Sequence, residues 1–188
     1  MDTKKPLMRR IITIPNILSL FRIALIPFIV WAYWLGSNYV AIGLIVLSGV
    51  TDVVDGIIAR KFNMVSDLGK ILDPIADKLT QGAVIICLTI KYKLMSVLIS
   101  LFALKETAMG ILGLITIKKV GEVNGAKWYG KVNTVILYLV MGALVLFPNV
   151  PLTVANAMIL VCLASMIFSL IMYVRFYVKA WKSSESSK

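Results

Sequence analysis

With 188 residues, 60% of them hydrophobic, and a mean hydropathy of +0.91, the chain has the composition of one domain-sized membrane protein. Its formal charge of +11 does not read as a nucleic-acid surface, because the bases stand at the ends of apolar runs, where they suit anionic lipid headgroups. There is no histidine, which excludes Ser-His-Asp and Cys-His catalysis and a His-ligated zinc. Cys87 and Cys162 lie singly in apolar stretches without metal-ligand spacing, so they read as packing residues and not as a disulfide.

The first 15 residues are basic (Lys4, Lys5, Arg9, Arg10) and then mixed with Leu7, Met8, Ile11 and Ile12. No small-residue cleavage site follows, so a signal peptide is disfavoured and an amphipathic juxtamembrane segment on the membrane surface is expected. Ile14-Pro15-Asn16 punctuates the approach to the first long apolar run. Six runs near 17–35, 39–60, 69–91, 94–117, 131–148 and 152–178 have the length of about 20 residues that a hydrocarbon core requires. Breakers separate them, as in Gly36-Ser37-Asn38 and Pro148-Asn149-Val150-Pro151. The expected fold class is therefore all-α integral membrane, with six transmembrane helices and the N-terminal juxtamembrane segment. Residues 1–182 would form a single membrane domain and 183–188 a disordered tail. No internal repeat of the kind that marks many transporters is visible.

Loop charges set the orientation. Arg60, Lys61 and Lys70 follow the second run; Lys118, Lys119, Lys127 and Lys131 follow the fourth; Arg175, Lys179 and Lys182 end the sixth. Only Lys91 and Lys93 fall on the opposite side, so both termini are expected in the cytoplasm of a multi-pass cell-membrane protein. Trp31, Tyr33, Trp34 and Tyr39 then form an aromatic belt at the outer interface. Lys118, Lys119 and the C-terminal bases read as topology and headgroup contacts.

Five of the nine acidic residues lie between Asp52 and Asp77, beside apolar runs where a carboxylate is costly and usually functional. Asp52 and Asp55 are three apart, Asp73 and Asp77 four apart, so each pair shares a helix face, and Gly69 continues the second stripe. Two helices joined by the polar loop Lys61 to Asp67 would aim four carboxylates at a common space. Such a group needs a cation, and hard divalent ions that take oxygen ligands (Mg²⁺, Mn²⁺ or Ca²⁺) suit it. Gly56 lets a ligand approach the backbone, and Arg60, four residues on, can pair with phosphate in a bidentate way. Metal, arginine and glycine together suit a diphosphate better than a bare ion. Asp77, at the far end of its stripe, is the candidate to take a proton from an attacking hydroxyl. Asp67 reads as a solvated loop residue or helix cap.

Other readings stand beside this one. The aspartates could pair with Arg60, Lys70 and Lys78 as structural ion pairs. A membrane cation or proton carrier could use them as a pathway, although Arg60 would repel its cargo. A prenyltransferase also binds diphosphate through aspartates, but its usual spacing and larger span count do not match. Glu106, inside the fourth run, is open between an ion pair and a site role.

The string Asp-x-x-Asp-Gly-x-x-Ala-Arg, eight residues, then Gly-x-x-x-Asp-x-x-x-Asp resembles the signature of the CDP-alcohol phosphotransferases. Every fixed position is present over the 26 residues from Asp52 to Asp77. The resemblance implies a membrane enzyme that transfers a substituted phosphate from a CDP-linked lipid to an alcohol and releases CMP. It implies two divalent ions, Mg²⁺ or Mn²⁺, one held by Asp52, Asp55 and Asp73. The other would lie among Asp52, Asp73 and Asp77, with Asp77 as general base. Gly56, Arg60 and Ser66 match positions that contact the CDP moiety, with Asn16 and Ser19 as further candidates, and the family is generally homodimeric. From Ile14-Pro15-Asn16 and Arg22 onward the pattern most resembles bacterial phosphatidylglycerophosphate synthases, which join CDP-diacylglycerol to glycerol 3-phosphate. Lys105 and Lys131 are the candidate partners of that anionic acceptor. One departure is Lys105-Glu106-Thr107, where Arg-Glu-Phe is expected; lysine lacks arginine's planar fork. Gly130-Lys131-Val132-Asn133-Thr134 is also similar to the family's cardiolipin synthases, whose acceptor is phosphatidylglycerol, and the acceptor stays open between the two.

Overall fold

A computed structural model describes residues 13–62, 66, 68–120 and 127–185, without the side chains of residues 60, 70, 118–120 and 183–185. Each of the six apolar runs is one helix: α1 Ile14–Trp34, α2 Asn38–Lys61, α3 Gly69–Thr89, α4 Leu94–Val120, α5 Trp128–Leu146 and α6 Leu152–Glu185. No strand occurs among the described residues. The juxtamembrane segment expected over 1–15 lies outside them except at 13–15, which belong to the start of α1.

The helix boundaries differ from expectation for local reasons. Ile14-Pro15-Asn16 is the first turn of α1 and not a break before it. Thr13 is extended (φ −118°, ψ 153°), and its hydroxyl accepts from the Asn16 amide at 3.4 Å. A proline in the first turn has no amide to satisfy and a φ already suited to the helix. At the other end, Gly36 takes φ 71°, the left-handed region that glycine enters without penalty. The Gly36 amide bonds to the Tyr33 carbonyl and the Ser37 amide to the Ala32 carbonyl, both at 3.0 Å, which closes the helix end in a Schellman turn. The α6 helix continues to Glu185, past residue 182 where a disordered tail was expected, and 186–188 lie outside the described residues. Its 34 residues rise about 50 Å at 1.5 Å each, more than a hydrocarbon core of about 30 Å needs.

Among the described residues, five helices are long and apolar enough to cross a membrane; α3 is not one of them, because Lys70, Asp73, Asp77 and Lys78 crowd its first ten residues. The described chain is that of a multi-pass, all-α integral membrane protein. Large apolar side chains such as Phe28, Val50, Ile86 and Leu139 are exposed on the helices' outer faces, as lipid solvation requires. Trp31, Trp34 and Tyr39 stand exposed around the Gly36 turn, where the aromatic belt was expected. Cys87 and Cys162 are buried free thiols.

The helices form two compact units. One comprises residues up to Cys87 with Val145–Pro148, and the other Leu88–Leu144 with Asn149 onward. In the first, α1 packs along α2. Leu25, Ile29 and Ala32 on α1, and Ala41 and Ile45 on α2, repeat every three or four residues and are buried, the spacing of an inward stripe. Followed away from the Gly36 turn, both stripes turn polar: Arg22, Ser19 and Asn16 on α1, Ser48 and Asp55 on α2, all buried. In the second unit α4 packs along α6, whose Ala155, Ile159, Cys162, Met166, Ser169 and Tyr173 form a buried seam at the same spacing. Trp181 Nε1 donates to Thr116 Oγ1 at 2.8 Å and ties the ends of α6 and α4. Ser165 Oγ donates to Asn133 Oδ1 at 3.0 Å between α6 and α5, and Tyr129 meets Tyr173 edge to face at 4.6 Å.

Candidate functional site

The polar end of the α1–α2 seam becomes a site because α3 adds its acidic stripe to it. The Arg22 guanidinium, only 1% exposed, donates from Nη1 to Asp52 Oδ1 and from Nη2 to both Asp73 Oδ1 and Asp55 Oδ2, the last at 2.6 Å. One side chain of α1 thus bridges carboxylates of α2 and α3. One oxygen from each of Asp52, Asp55 and Asp73 lies within 4.8 Å of the others. Asp55 is closed in at 3% side-chain exposure, whereas Asp52 and Asp73 are 43% and 42% exposed, so the cluster opens on one side. Ser19 Oγ lies 3.0 Å from the Pro15 carbonyl and 3.3 Å from Asp73 Oδ1, and accepts from Arg22 Nη2 at 3.4 Å.

A second link fixes where α3 begins. Ser66 Oγ donates to Asn16 Oδ1 and accepts from the Gly69 amide, both at 2.8 Å, taking up one of the amides that a helix start leaves unpaired. Asn16 and Ser66 are both buried. A Cβ at Gly69 would stand 2.5 Å from Asn16 Oδ1 and 3.0 Å from Ser66 Oγ. Gly69→Ala is therefore expected to lower stability despite alanine's helix preference of about 1 kcal/mol, since overpacking costs about 1–3 kcal/mol and here also breaks a hydrogen-bonded link. A thermal melt in detergent checks this, and an unchanged or higher midpoint would contradict it.

Of the expected site residues, the structure brings Asp52, Asp55 and Asp73 together, with Ser19 beside them and Asn16 and Ser66 in the adjoining link. Asp77 stands one turn beyond Asp73 on α3, outside the three-carboxylate group; it accepts from Gln81 Nε2 at 2.9 Å and lies 3.8 Å from Lys78 Nζ. Gly56 follows Asp55 on α2 and is half-buried. The side chains of Arg60 and Lys70, and Asp67 altogether, lie outside the described residues. Lys105 and Lys131 belong to the second unit. Lys105 is buried and donates to Glu106 Oε1 at 2.8 Å, so Glu106 is engaged in an ion pair; Lys131 is exposed in the first turn of α5.

Sequence reasoning missed the role of Arg22, which entered only as part of a family pattern. The signal was present: a lone arginine inside an apolar run, in register with Leu25, Ile29 and Ala32, is a buried charge that must find partners. Gln81, buried and bonded to Asp77, was missed as well, although it stands four residues on along the Gly69–Asp73–Asp77 stripe.

The donor set fits a hard divalent ion. It consists of carboxylate oxygens converging on one point, and that point already holds a cationic group, the Arg22 guanidinium.

Fold and centre together define a polytopic helical membrane protein with a carboxylate cluster, able to hold a cation, at the polar end of a helix seam. The sequence model of the CDP-alcohol phosphatidyltransferase family matches residues 12–181, and the chain belongs to that family. It is 49% identical over 78 residues to a CDP-diacylglycerol–glycerol-3-phosphate 3-phosphatidyltransferase of Rickettsia bellii, covering 40% of this chain and 43% of that one. It is 31% identical over 157 residues to a probable phosphatidylglycerophosphate synthase of Mycobacterium tuberculosis, covering 80% of this chain and 74% of that one. A CMP-forming cardiolipin synthase of Streptomyces coelicolor is 43% identical over 76 residues, covering 37% and 35%. The chain thus spans less than half the length of the Rickettsia relative that it matches.

Proposed function

We propose that this protein transfers the phosphatidyl group of CDP-diacylglycerol to glycerol 3-phosphate, forming phosphatidylglycerophosphate and CMP. The observation that carries the reading is the convergence of Asp52, Asp55 and Asp73 on one point that is open on one side. Similarity to phosphatidylglycerophosphate synthases over most of the chain supports the choice of acceptor.

Asp52, Asp55 and Asp73 would hold one divalent ion, Mg²⁺ or Mn²⁺, and Asp52, Asp73 and Asp77 a second, which when bound would neutralise charge on the diphosphate and on the departing CMP. Asn16, Ser19, Gly56, Arg60 and Ser66 receive the CDP moiety, the glycine by letting it approach the backbone and Arg60 by pairing with phosphate. Asp77 takes the proton from the acceptor's hydroxyl, with its carboxylate oriented by Gln81. The oxygen attacks the phosphorus that bears diacylglycerol, a new P–O bond forms, and the bond to the CMP oxygen breaks. Lys105 and Lys131 meet the acceptor's phosphate; an ammonium has three donors, so the bond from Lys105 to Glu106 leaves it capacity for an anion.

Residues 1–182 act as one domain of a homodimer in the cell membrane, with both termini and the site at the cytoplasmic face. Basic residues gathered at one side of the spans support this orientation. A cation carrier is disfavoured, because Gly56 and Arg60 beside the aspartates in the sequence suit a diphosphate better than a bare ion. The second reading is a cardiolipin synthase, favoured by the similarity to the Streptomyces relative.

CMP release by the purified protein with CDP-diacylglycerol and Mg²⁺ tests the proposal when glycerol 3-phosphate, phosphatidylglycerol, inositol phosphate and serine are offered separately. Turnover with glycerol 3-phosphate alone is expected. Turnover with phosphatidylglycerol alone would replace the proposal by the second reading.

A further inference from the structure

We infer that Arg22 is a displaceable internal counter-ion, holding the place of a divalent ion among Asp52, Asp55 and Asp73 and competing with that ion for the three carboxylates. The inference rests on the reading of this cluster as a metal centre.

Position is the first argument. Nη2 serves Asp55 and Asp73 while Nη1 serves Asp52, so the guanidinium stands where the three oxygens converge. A Mg²⁺ ion bound to carboxylates at about 2.0–2.1 Å has to take that same point, and the two cations cannot share it. Charge is the second. Three carboxylates against one guanidinium leave a formal −2, so the occupied cluster still attracts a divalent ion. Access is the third: Asp52 and Asp73 are more than two-fifths exposed, so an ion reaches them without unfolding the seam.

The hold of Arg22 is also incomplete. Its Nε is buried with no hydrogen-bond partner among the described residues, although a guanidinium has five N–H groups to satisfy. A fixed structural arginine in so buried a place would be expected to use that donor. Displacement does not strand the guanidinium either. Each carboxylate has two oxygens, so Arg22 can shift to those that the ion leaves open.

The alternative is that Arg22 is a permanent brace that positions the carboxylates for metal. The two roles predict opposite signs. Removing a competitor tightens metal binding, whereas removing a brace loosens it.

The test is Mn²⁺ binding to the purified full-length chain in detergent, read from the loss of the free-ion electron paramagnetic resonance signal, with thermal melts alongside. Wild type, Arg22→Met and Arg22→Lys are compared. Arg22→Met is expected to bind Mn²⁺ at least tenfold more tightly. Its metal-free form is expected to melt below wild type, and Mn²⁺ is expected to raise its midpoint by more. Arg22→Lys keeps the charge but lacks the planar fork whose two ends reach Asp52 on one side and Asp55 and Asp73 on the other, and is expected to bind severalfold more tightly than wild type. It carries the comparison by itself if Arg22→Met does not fold. Equal or weaker Mn²⁺ binding by the folded variants would overturn the inference and leave the metal centre standing. No Mn²⁺ binding by any of the three proteins would overturn the metal reading and the inference with it.

Discussion

Asp77→Asn is expected to lower CMP release by about 10²–10⁴-fold, the usual contribution of a positioned general base. Asparagine keeps the size of the side chain and an oxygen that can still accept from Gln81 Nε2, now 2.9 Å from Asp77 Oδ2. What it loses is the capacity to take a proton, together with the negative charge that Asp77 would offer the second ion. The three carboxylates that meet at Arg22 do not include Asp77, so their arrangement should survive the change. The ion of Asp52, Asp55 and Asp73 keeps its ligands, so binding of the CDP-lipid is expected to fall far less than turnover, and binding measured beside turnover separates the two effects. Undiminished turnover by the variant would remove Asp77 as the base.

Asp55→Ala is expected to abolish turnover and also to destabilise the fold. The carboxylate is almost fully enclosed and accepts from Arg22 at 2.6 Å. Removing one partner of a buried ion pair costs about 3–5 kcal/mol, and the lower end applies here because Arg22 keeps Asp52 and Asp73. Asp73→Ala should cost less stability, since that carboxylate is 42% exposed. Turnover should fail in both variants. A melt in detergent together with an activity assay checks the pair. A wild-type midpoint for Asp55→Ala, or retained turnover in either variant, would contradict the account.

Much of this architecture was legible before any coordinates. Apolar runs of spanning length set the six helices within a few residues, the far end of α6 excepted, because lipid permits few alternatives to a continuous hydrogen-bonded helix. The acidic motif was legible for a related reason: charge is scarce in such segments, and spacings of three and four put Asp52 with Asp55 and Asp73 with Asp77 on shared faces. The end of each helix was harder to read. Pro15 looked like a break yet sits in a first turn, where its missing amide costs nothing, and Thr13 supplies the cap. The tail after residue 182 looked too polar to be ordered, yet α6 runs on to Glu185.

Within the site, tertiary contacts supplied what sequence spacing could not. The aspartates were weighed against Arg60, Lys70 and Lys78, all close to them along the chain, whereas the cation at their centre is Arg22, 30 residues before Asp52. Helix periodicity ranks neighbours on one helix and is blind to a partner on another. The link Asn16–Ser66–Gly69 is of the same kind, joining residues 50 apart through one hydroxyl.

The carboxylate centre is proposed to move a phosphatidyl group onto glycerol 3-phosphate. The most direct measurement follows radiolabelled glycerol 3-phosphate into organic-extractable lipid, with purified protein, CDP-diacylglycerol and Mg²⁺, while CMP is counted in the same samples. Labelled lipid and CMP are expected in equal amounts, both lost on chelation and restored by Mg²⁺ or Mn²⁺. CMP without labelled lipid, or labelled lipid formed at full rate under chelation, would contradict the proposal.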